Sequence, residues 1–352
     1  MIRRKEIDLA RGFTVFIMTG VHTVLIYGSL KVHYSWLGSI LAFLAEGPGA
    51  PLFMTVMGIS FTFSKNNNVS SAIKRSLKLL LFAYLLNFLK FIVPLLSGTI
   101  PKQLLIDHGI STDTRTFIEL ILVGDILQLA AISLVVLALV YRLKHYQLWA
   151  ASLSIIIIFA SPLLWGISSH NPAINYLFNL LWTNGTNVYF PVFPWLVFPL
   201  TGLVIGHWIA AKRYKKLIIT GIVLVIAGSF ICSINPQFHW GSFYKSGPGG
   251  LLYYTGFVMV WLYVFHLAWL YVPSNSFFKL LYWLSENITL VYLVQWTIIF
   301  WLLGVLNYRT LNITASIISM VTITAFVFGI CLLIKKYLLN YHKKPIYETR
   351  NL

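Results

Sequence analysis

The sequence predicts an all-α, polytopic membrane protein, built as a bundle of about ten transmembrane helices. Hydrophobic residues make up 58% of the 352 residues and charged residues only 10%, whereas soluble domains carry about 25% charged residues. Apolar stretches recur along the whole chain, and each is about as long as a bilayer crossing requires. The polar segments between them are too short for a separate soluble domain. We therefore predict a single integral-membrane domain over residues 1–352.

Ten apolar windows are candidate membrane helices. In chain order they cover residues 9–30, 48–64, 77–97, 117–140, 148–167, 191–211, 217–234, 250–271, 280–303 and 313–334. The first window follows a basic start, "MIRRKE", without a small-residue cleavage site, so we interpret it as a retained helix and not a signal peptide. The stretch 36–46 is also apolar, and we interpret it as a short interfacial piece before the second span.

The charge pattern predicts the orientation of the bundle. A net charge of +17 would indicate nucleic acid for a soluble protein, but Lys and Arg collect in the cytoplasmic loops of membrane proteins, and we expect no nucleic-acid partner. With the N-terminus inside, ten spans place both termini in the cytoplasm and most of the 26 basic residues in cytoplasmic segments. Residue usage rich in Ile, Lys and Asn is typical of a bacterium, which predicts the inner (cytoplasmic) membrane. Cys232 and Cys331 lie in apolar windows and indicate neither a disulfide nor a metal site.

Ionisable residues lie on one face of the first helix. At 3.6 residues per turn, Asp8, Arg11 and His22 share a stripe. His22 lies about 20 Å along the helix from Leu9, about two thirds of the way through the hydrocarbon core. A side chain of this kind at that depth faces protein or a water-filled cavity. His22 is either a neutral core histidine or a functional group, and Asp8 with Arg11 is either a local ion pair or part of a site.

Further polar side chains fall in or near the other windows, and together they predict a bundle that encloses a polar cavity. They are Lys90, Asp125, Gln128, His207, His266, Glu286, Asn287 and Gln295.

Six segments, in order from residue 6 to about residue 300, carry a family resemblance. They are "EIDLARGFTVFIMTGVH", "KVHYSWLG", "GAPLFMTVMGISFTFSK", "GDILQLAAISLVVLAL", "FPVFPWLVFPLTGLVIG" and "SENITLVYLVQW". In this order they resemble a transmembrane acyltransferase superfamily, in particular the heparan-α-glucosaminide N-acetyltransferase-like family, which is related to acyltransferase-3 and YeiB-like membrane proteins. The chain departs from the pattern at Leu129, where the family often has Arg, and at His22, where the heparan branch has Asn.

The resemblance implies a transferase that moves an acetyl or other acyl group across the membrane. Acyl-CoA would be the cytoplasmic donor, acetyl-CoA acting as co-substrate, and no metal is implied. The acceptor would be an amine or hydroxyl of a small sugar or a cell-envelope glycan on the opposite face. Membrane lipid is the remaining expected partner, and a homodimer is compatible with the sequence.

Acyl transfer from a thioester needs a base, donors for the developing oxyanion and cations for the CoA phosphates. By resemblance, His33 matches the family's catalytic histidine, although a loop histidine beside Tyr, Ser and Trp is also typical of a membrane interface. His22, about three turns deeper, would be the base, orient the thioester or relay a proton to His33. We assign two further groups of residues. Those expected to bind the donor are Arg11, Asp8, Lys74, Arg75 and Gln128, and those expected to bind the acceptor are Trp36, Asp125, Trp195 and Asn287.

A transporter or flippase for a polar solute or a lipid-linked intermediate is the alternative reading. It would use His22, Lys90 and Asp125 as a proton path. Transporter folds usually contain internal repeats, and we find none in this sequence.

Overall fold

A computed structural model describes residues 4–182 and 187–342, with side chains to residue 337. Within these ranges the chain forms twenty α-helices. In the first half they are α1 Lys5–Tyr27, α2 Leu30–His33, α3 Trp36–Glu46, α4 Ala50–Thr62, α5 Val69–Asn87, α6 Val93–Leu96, α7 Lys102–Asp107, α8 Thr116–Ile121, α9 Ile126–Tyr141 and α10 Tyr146–Leu164. In the second half they are α11 Pro172–Trp182, α12 Val192–Trp195, α13 Val197–Ala210, α14 Tyr214–Ile234, α15 Pro236–Trp240, α16 Pro248–Tyr271, α17 Ser276–Glu286, α18 Ile288–Trp301, α19 Leu303–Leu306 and α20 Ile313–His342.

The predicted polytopic, all-helical class is confirmed. Within the described residues, nine helical segments are long and apolar enough to cross a membrane. They are Lys5–Tyr27, Trp36–Thr62, Val69–Leu96, Tyr146–Leu164, Val192–Ala210, Tyr214–Ile234, Pro248–Tyr271, Ile288–Leu306 and Ile313–Tyr337. The remaining predicted window corresponds to α9, which is apolar but has only 16 residues. We call the side of the bundle where α1 begins the N side, and the other the opposite side.

Two boundaries differ from the prediction. The stretch 36–46 is the first part of the second span and not a separate interfacial piece, because α3 continues into α4 through a Gly-Pro-Gly bend. A Cβ on Gly49 would lie 2.2 Å from the carbonyl oxygen of Ala45, so glycine is required there. The fourth window begins at Ile126 and not at residue 117, because Asp125 caps the N-terminus of α9.

Helix α1 lies at the centre of the bundle and packs against α4, α16, α17, α18 and α20. Close approach depends on glycine, as at Gly12, where a Cβ would lie 2.0 Å from the carbonyl oxygen of Leu281 in α17. Another close pair of helices is α4 with α13, where a Cβ on Gly58 would lie 2.0 Å from the carbonyl oxygen of Pro199. The central position of α1 explains how its polar side chains come to face protein.

Candidate active site

A cavity of about 540 Å³ lies beside the second half of α1. Its walls come from α1, α3, α4, α18 and the segments that join the helices on the opposite side. On the N side the cavity reaches only as far as Thr14 and Phe53. The titratable side chains that line it, other than tyrosines, are His22, His33, Glu46, Lys90, His108, Asp125 and Arg309. The bundle therefore encloses a cavity with polar groups in its wall, which brings together His22, His33 and Asp125. Of the eight further polar residues on which the sequence expectation rested, Lys90 and Asp125 line it and the other six do not.

A hydrogen bond at Nδ1 and a stacked aromatic ring both fix the orientation of the His22 imidazole. Thr19 donates a 2.6 Å hydrogen bond to the Gln295 side-chain oxygen, so the amide nitrogen of Gln295 faces His22 Nδ1 at 3.2 Å. The imidazole also stacks on Trp296 with 4.1 Å between ring centroids. In this arrangement Nδ1 accepts a hydrogen bond, and the proton of the neutral ring resides on Nε2. His22 is therefore equipped to donate a hydrogen bond from Nε2.

The ring of His33 has the opposite arrangement. Its Nε2 lies 3.1 Å from the backbone carbonyl oxygen of Val24, which can only accept, so Nε2 carries the proton. The neutral ring then has its lone pair on Nδ1. The chain reverses direction after α1, at Gly28, and this reversal brings His33 back to a carbonyl only two residues from His22. The two histidines are thus closer than the three turns predicted from a longer first helix.

A buried ion pair forms another part of the cavity wall. Lys90 Nζ lies 3.4 Å from Asp125 Oδ2, and the two side chains are only 3% and 7% exposed. Lys90 belongs to a π-helical turn, Phe88–Ile92, between α5 and α6, a feature often found at functional sites. Three aromatic rings surround its ammonium group, those of Trp296 at 4.1 Å, Phe91 at 4.5 Å and Phe300 at 5.3 Å. Trp296 therefore contacts both Lys90 and His22.

Gln128 is placed away from the other residues predicted to bind the donor. Its side-chain oxygen accepts from the Asp125 backbone N–H at 3.0 Å, and its amide nitrogen donates to the Val123 carbonyl at 3.0 Å. Together with the Asp125 side chain it forms a capping box at the start of α9. The hydrogen bonds of Gln128 thus stabilise the start of α9, which lies beside the cavity on the opposite side of the bundle.

The other predicted donor residues lie on the N side. Arg11 donates to Ser60, to Ser285 at 3.3 Å and to Asp8 at 3.4 Å, and Ser285 also donates to Asp8 at 3.0 Å. This network joins α1 to α4 and α17. Thr14, where the cavity ends, is nine residues from Lys5, a helical rise of about 13 Å.

Lys74 and Arg75 lie in the second turn of α5 on the same side, where Lys74 is exposed and Arg75 donates to the Asn66 carbonyl at 2.7 Å. The five predicted donor residues consequently do not form one cluster.

Three residues predicted to bind the acceptor lie outside the cavity wall. Trp36 is exposed at the start of α3. Trp195 is buried and donates to the Tyr244 carbonyl at 3.0 Å, so it positions Tyr244, which does line the cavity. Asn287 lies between α17 and α18 and donates to the Trp283 carbonyl at 2.8 Å. Of the four residues predicted to bind the acceptor, Asp125 alone lines the cavity.

Sequence reasoning did not assign Glu46 to the site. Its carboxylate lines the cavity and accepts a 3.3 Å hydrogen bond from Tyr254. The sequence signal that could have identified Glu46 is that it is an acidic residue at the end of an apolar stretch. Four cavity tyrosines were also unassigned, and each comes from a different segment of the chain. They are Tyr189, Tyr244, Tyr292 and Tyr308.

Segments on the opposite side hold one another in place around Arg309 and His108, which line the cavity. Asp107 pairs with Arg309 at 2.6 Å and accepts from Tyr308 at 3.0 Å. A hydrogen bond from Gln103, followed by these contacts, holds the pKa of Asp107 below its ordinary value. The next residue, His108, has Nδ1 2.8 Å from the Tyr189 hydroxyl, and burial lowers the pKa of its imidazole. Across the described ranges, no three His, Cys, Asp or Glu side chains group closely enough to hold a metal ion.

Comparison with known proteins and protein families identifies the family of this chain. No curated protein matches the sequence. The model of a protein family, heparan-alpha-glucosaminide N-acetyltransferase, catalytic, matches residues 3–235. This range contains His22, His33 and the Lys90–Asp125 pair, and it covers well over half of the chain. The chain therefore belongs to the family of the heparan-alpha-glucosaminide N-acetyltransferase catalytic domain.

Proposed function

We propose that the protein transfers an acetyl group from acetyl-CoA to an amine or hydroxyl of a cell-envelope sugar, within the cavity beside α1. The observation that carries this proposal is the pair of imidazoles in one cavity with opposite hydrogen-bonding states. His33 offers a lone pair on Nδ1, and His22 offers a proton on Nε2. Family membership supports acetyl transfer as the reaction class.

The two histidines divide the work of the reaction. His33 Nδ1 takes the proton from the acceptor amine or hydroxyl as that group attacks the thioester carbonyl. His22 Nε2–H donates to the oxygen on which negative charge develops. The new bond joins the acetyl carbon to the acceptor, the carbon–sulfur bond breaks, and the proton on His33 passes to the departing CoA thiolate. Protons and electrons balance without a further reactant.

A donor that enters from the N side can reach the cavity only if helices move apart. A donor from the N side, which we propose to be cytoplasmic, meets about 13 Å of packed helix before it reaches the cavity. Leu9 and Ala10 of α1 and Val56 and Ile59 of α4 are fully buried there. We propose that α1 and α4 separate when CoA binds, and that the N-side cations outside the Arg11 network, Lys74 and Arg75, then contact its phosphates.

Proton-coupled transport through His22, Lys90 and Asp125 fits the structure less well. Lys90 and Asp125 neutralise each other in a ring-lined pocket, and a hydrogen-bonded Gln295 holds His22. The same packed helices would also separate these groups from the N side.

The first experiment is binding of acetyl-CoA to the purified protein in nanodiscs, with CoA and ATP as controls. Saturable binding that favours the CoA species supports the acyltransferase. A well-folded sample that binds none of them contradicts it and makes transport the better explanation.

The second experiment replaces His33. We expect His33→Ala and His33→Gln to lower acetyl transfer at least about 100-fold, because the reaction loses its base, while acetyl-CoA still binds. The exposed opposite-side histidine gives a matched control, and His170→Ala should keep the wild-type rate. Equal turnover in His33→Ala and wild type would remove His33 from the mechanism.

A further inference from the structure

One wall of the cavity is an apolar seam between α1 and α3. Helix α3 packs loosely, and Leu37 is the only buried residue among its eleven. Apart from Thr14, His22 and Glu46, the residues of these two helices that line the cavity are small or aliphatic, and we call eight of them the α1–α3 seam. They are Ile17, Met18, Val21 and Leu25 from α1, and Gly38, Leu41, Ala42 and Ala45 from α3.

The seam is the most exposed part of the cavity wall. Leu25 is 44% exposed and Ala42 is exposed, whereas every other residue that lines the cavity is buried or half-buried. Both belong to candidate membrane spans, Lys5–Tyr27 and Trp36–Thr62. Ala42 lies six residues into its span, a helical rise of about 9 Å from Trp36. The seam therefore opens at the level of the lipid hydrocarbon, where water is scarce.

The polar groups of the cavity lie directly beside the seam. His22 follows Val21 directly on α1, and His33 lies five residues before Gly38. An amphiphile would thus place its polar group at the two imidazoles and its chain against the apolar side chains that flank His22 on α1, which span about 12 Å from Ile17 to Leu25. An apolar channel that joins the bilayer to a polar cavity is what a substrate with both parts requires.

We infer that the acceptor is lipid-linked, with its sugar at His22 and His33 and its hydrocarbon chain in the α1–α3 seam. This inference rests on the proposed acetyl transfer. The chain belongs to the acceptor and not to the donor for a chemical reason. An acetyl group has two carbons and needs no seam, and the CoA portion is polar and charged, so it gains nothing from contact with hydrocarbon.

The test is photolabelling of the protein in nanodiscs with dodecyl glucosaminide that carries a diazirine in its chain. We expect saturable labelling of residues 17–25 and 38–45, which unlabelled dodecyl glucosaminide displaces and methyl glucosaminide does not. Ala42→Trp should lower this labelling about tenfold, because the indole occupies the seam and excludes chain carbons. Leu25→Trp is a second variant at an exposed position, with the same expected loss.

Ile40→Trp is the matched control. Ile40 is 50% exposed on α3 and lies outside the cavity wall, so the same substitution there should leave the labelling within about twofold of wild type. Labelling spread evenly over other lipid-facing helices such as α14, or equal labelling in Ala42→Trp and Ile40→Trp, would overturn the inference. Displacement by acetyl-CoA would assign the seam to the donor and overturn it as well.

Acetyl-CoA binding, measured on the same preparations, separates the two proposals. If acetyl-CoA binds and labelling is not confined to the seam, the lipid-linked acceptor is wrong and the proposed transfer stands. If labelling is confined to the seam and acetyl-CoA does not bind, the proposed transfer is wrong, and with it the assignment of the chain to an acceptor.

Discussion

The buried Lys90–Asp125 pair allows a prediction whose size and asymmetry both follow from its surroundings. Removing one partner of a buried ion pair usually destabilises a protein by about 3–5 kcal/mol, because the other charge is left buried. Lys90→Met leaves the Asp125 carboxylate buried beside a pocket whose aromatic rings, those of Trp296, Phe91 and Phe300, surrounded the lost ammonium. Ring faces are negative and repel an anion. We therefore expect a loss at the upper end of that range, about 4–5 kcal/mol.

Asp125→Asn should cost less. The Lys90 ammonium keeps its three aromatic neighbours, and cation–π contacts of this kind contribute about 1–2 kcal/mol when desolvated. Asn also retains the ability to accept from the Ile126 N–H and so to cap α9. We expect a loss of about 1–3 kcal/mol. The double variant, Lys90→Met with Asp125→Asn, leaves no buried charge and should be more stable than Lys90→Met alone.

The assay is reversible unfolding of the four proteins in mixed detergent micelles, which yields the free energy of unfolding and the coupling between the two sites. An exposed ion pair, Arg115 with Asp113 at 2.9 Å, supplies the control. The corresponding variants Arg115→Met and Asp113→Asn should show no measurable change, because solvent screens that pair. Equal losses for Lys90→Met and Asp125→Asn, or strict additivity in the double variant, would refute the argument from the aromatic rings.

Three further predictions follow from the packing and from the opposite-side segments. Gly58→Ala should destabilise the protein by at least about 1–3 kcal/mol, because its Cβ meets backbone of α13. Gly329→Ala is the control, because an added Cβ there has no atom within 4 Å, and it should be neutral or stabilising. Equal shifts of the thermal unfolding midpoint in Gly58→Ala and Gly329→Ala would contradict this prediction. Arg11→Lys should lower the free energy of unfolding by about 1–3 kcal/mol, because one ammonium cannot replace a guanidinium that holds three partners. Acetyl-CoA affinity of the folded fraction should not change, and a weaker affinity at equal stability would contradict a structural role. Burial lowers the pKa of His108 below 6.5, so the unfolded chain binds the proton first and stability should fall as the pH drops below about 6.5. In His108→Gln the thermal unfolding midpoint should depend less on pH between pH 7.5 and 5 than it does in wild type. The same pH dependence in the variant and in wild type would contradict this role of His108.

Hydropathy was enough to predict the helical, membrane-spanning class and the places of the apolar helices, apart from the start of the second span and the start of α9. This works because a bilayer requires long apolar helices whatever their neighbours are. The ionisable face of α1 was also visible, since residues on one stripe are related by helical period alone. Six motifs in order identified the family, which the match over residues 3–235 then confirmed.

The partners of the site residues were decided by tertiary structure. His22 takes its orientation from Gln295, 273 positions away, and no local pattern relates the two. Gln128 was predicted for the donor site because it is polar within an apolar window, yet its local hydrogen bonds cap α9. The sequence alone determined which side chains in the membrane spans must face protein or a cavity and not lipid. Only the packing of distant helices decided what each of them meets, because contacts across a bundle depend on three-dimensional proximity and not on spacing along the chain.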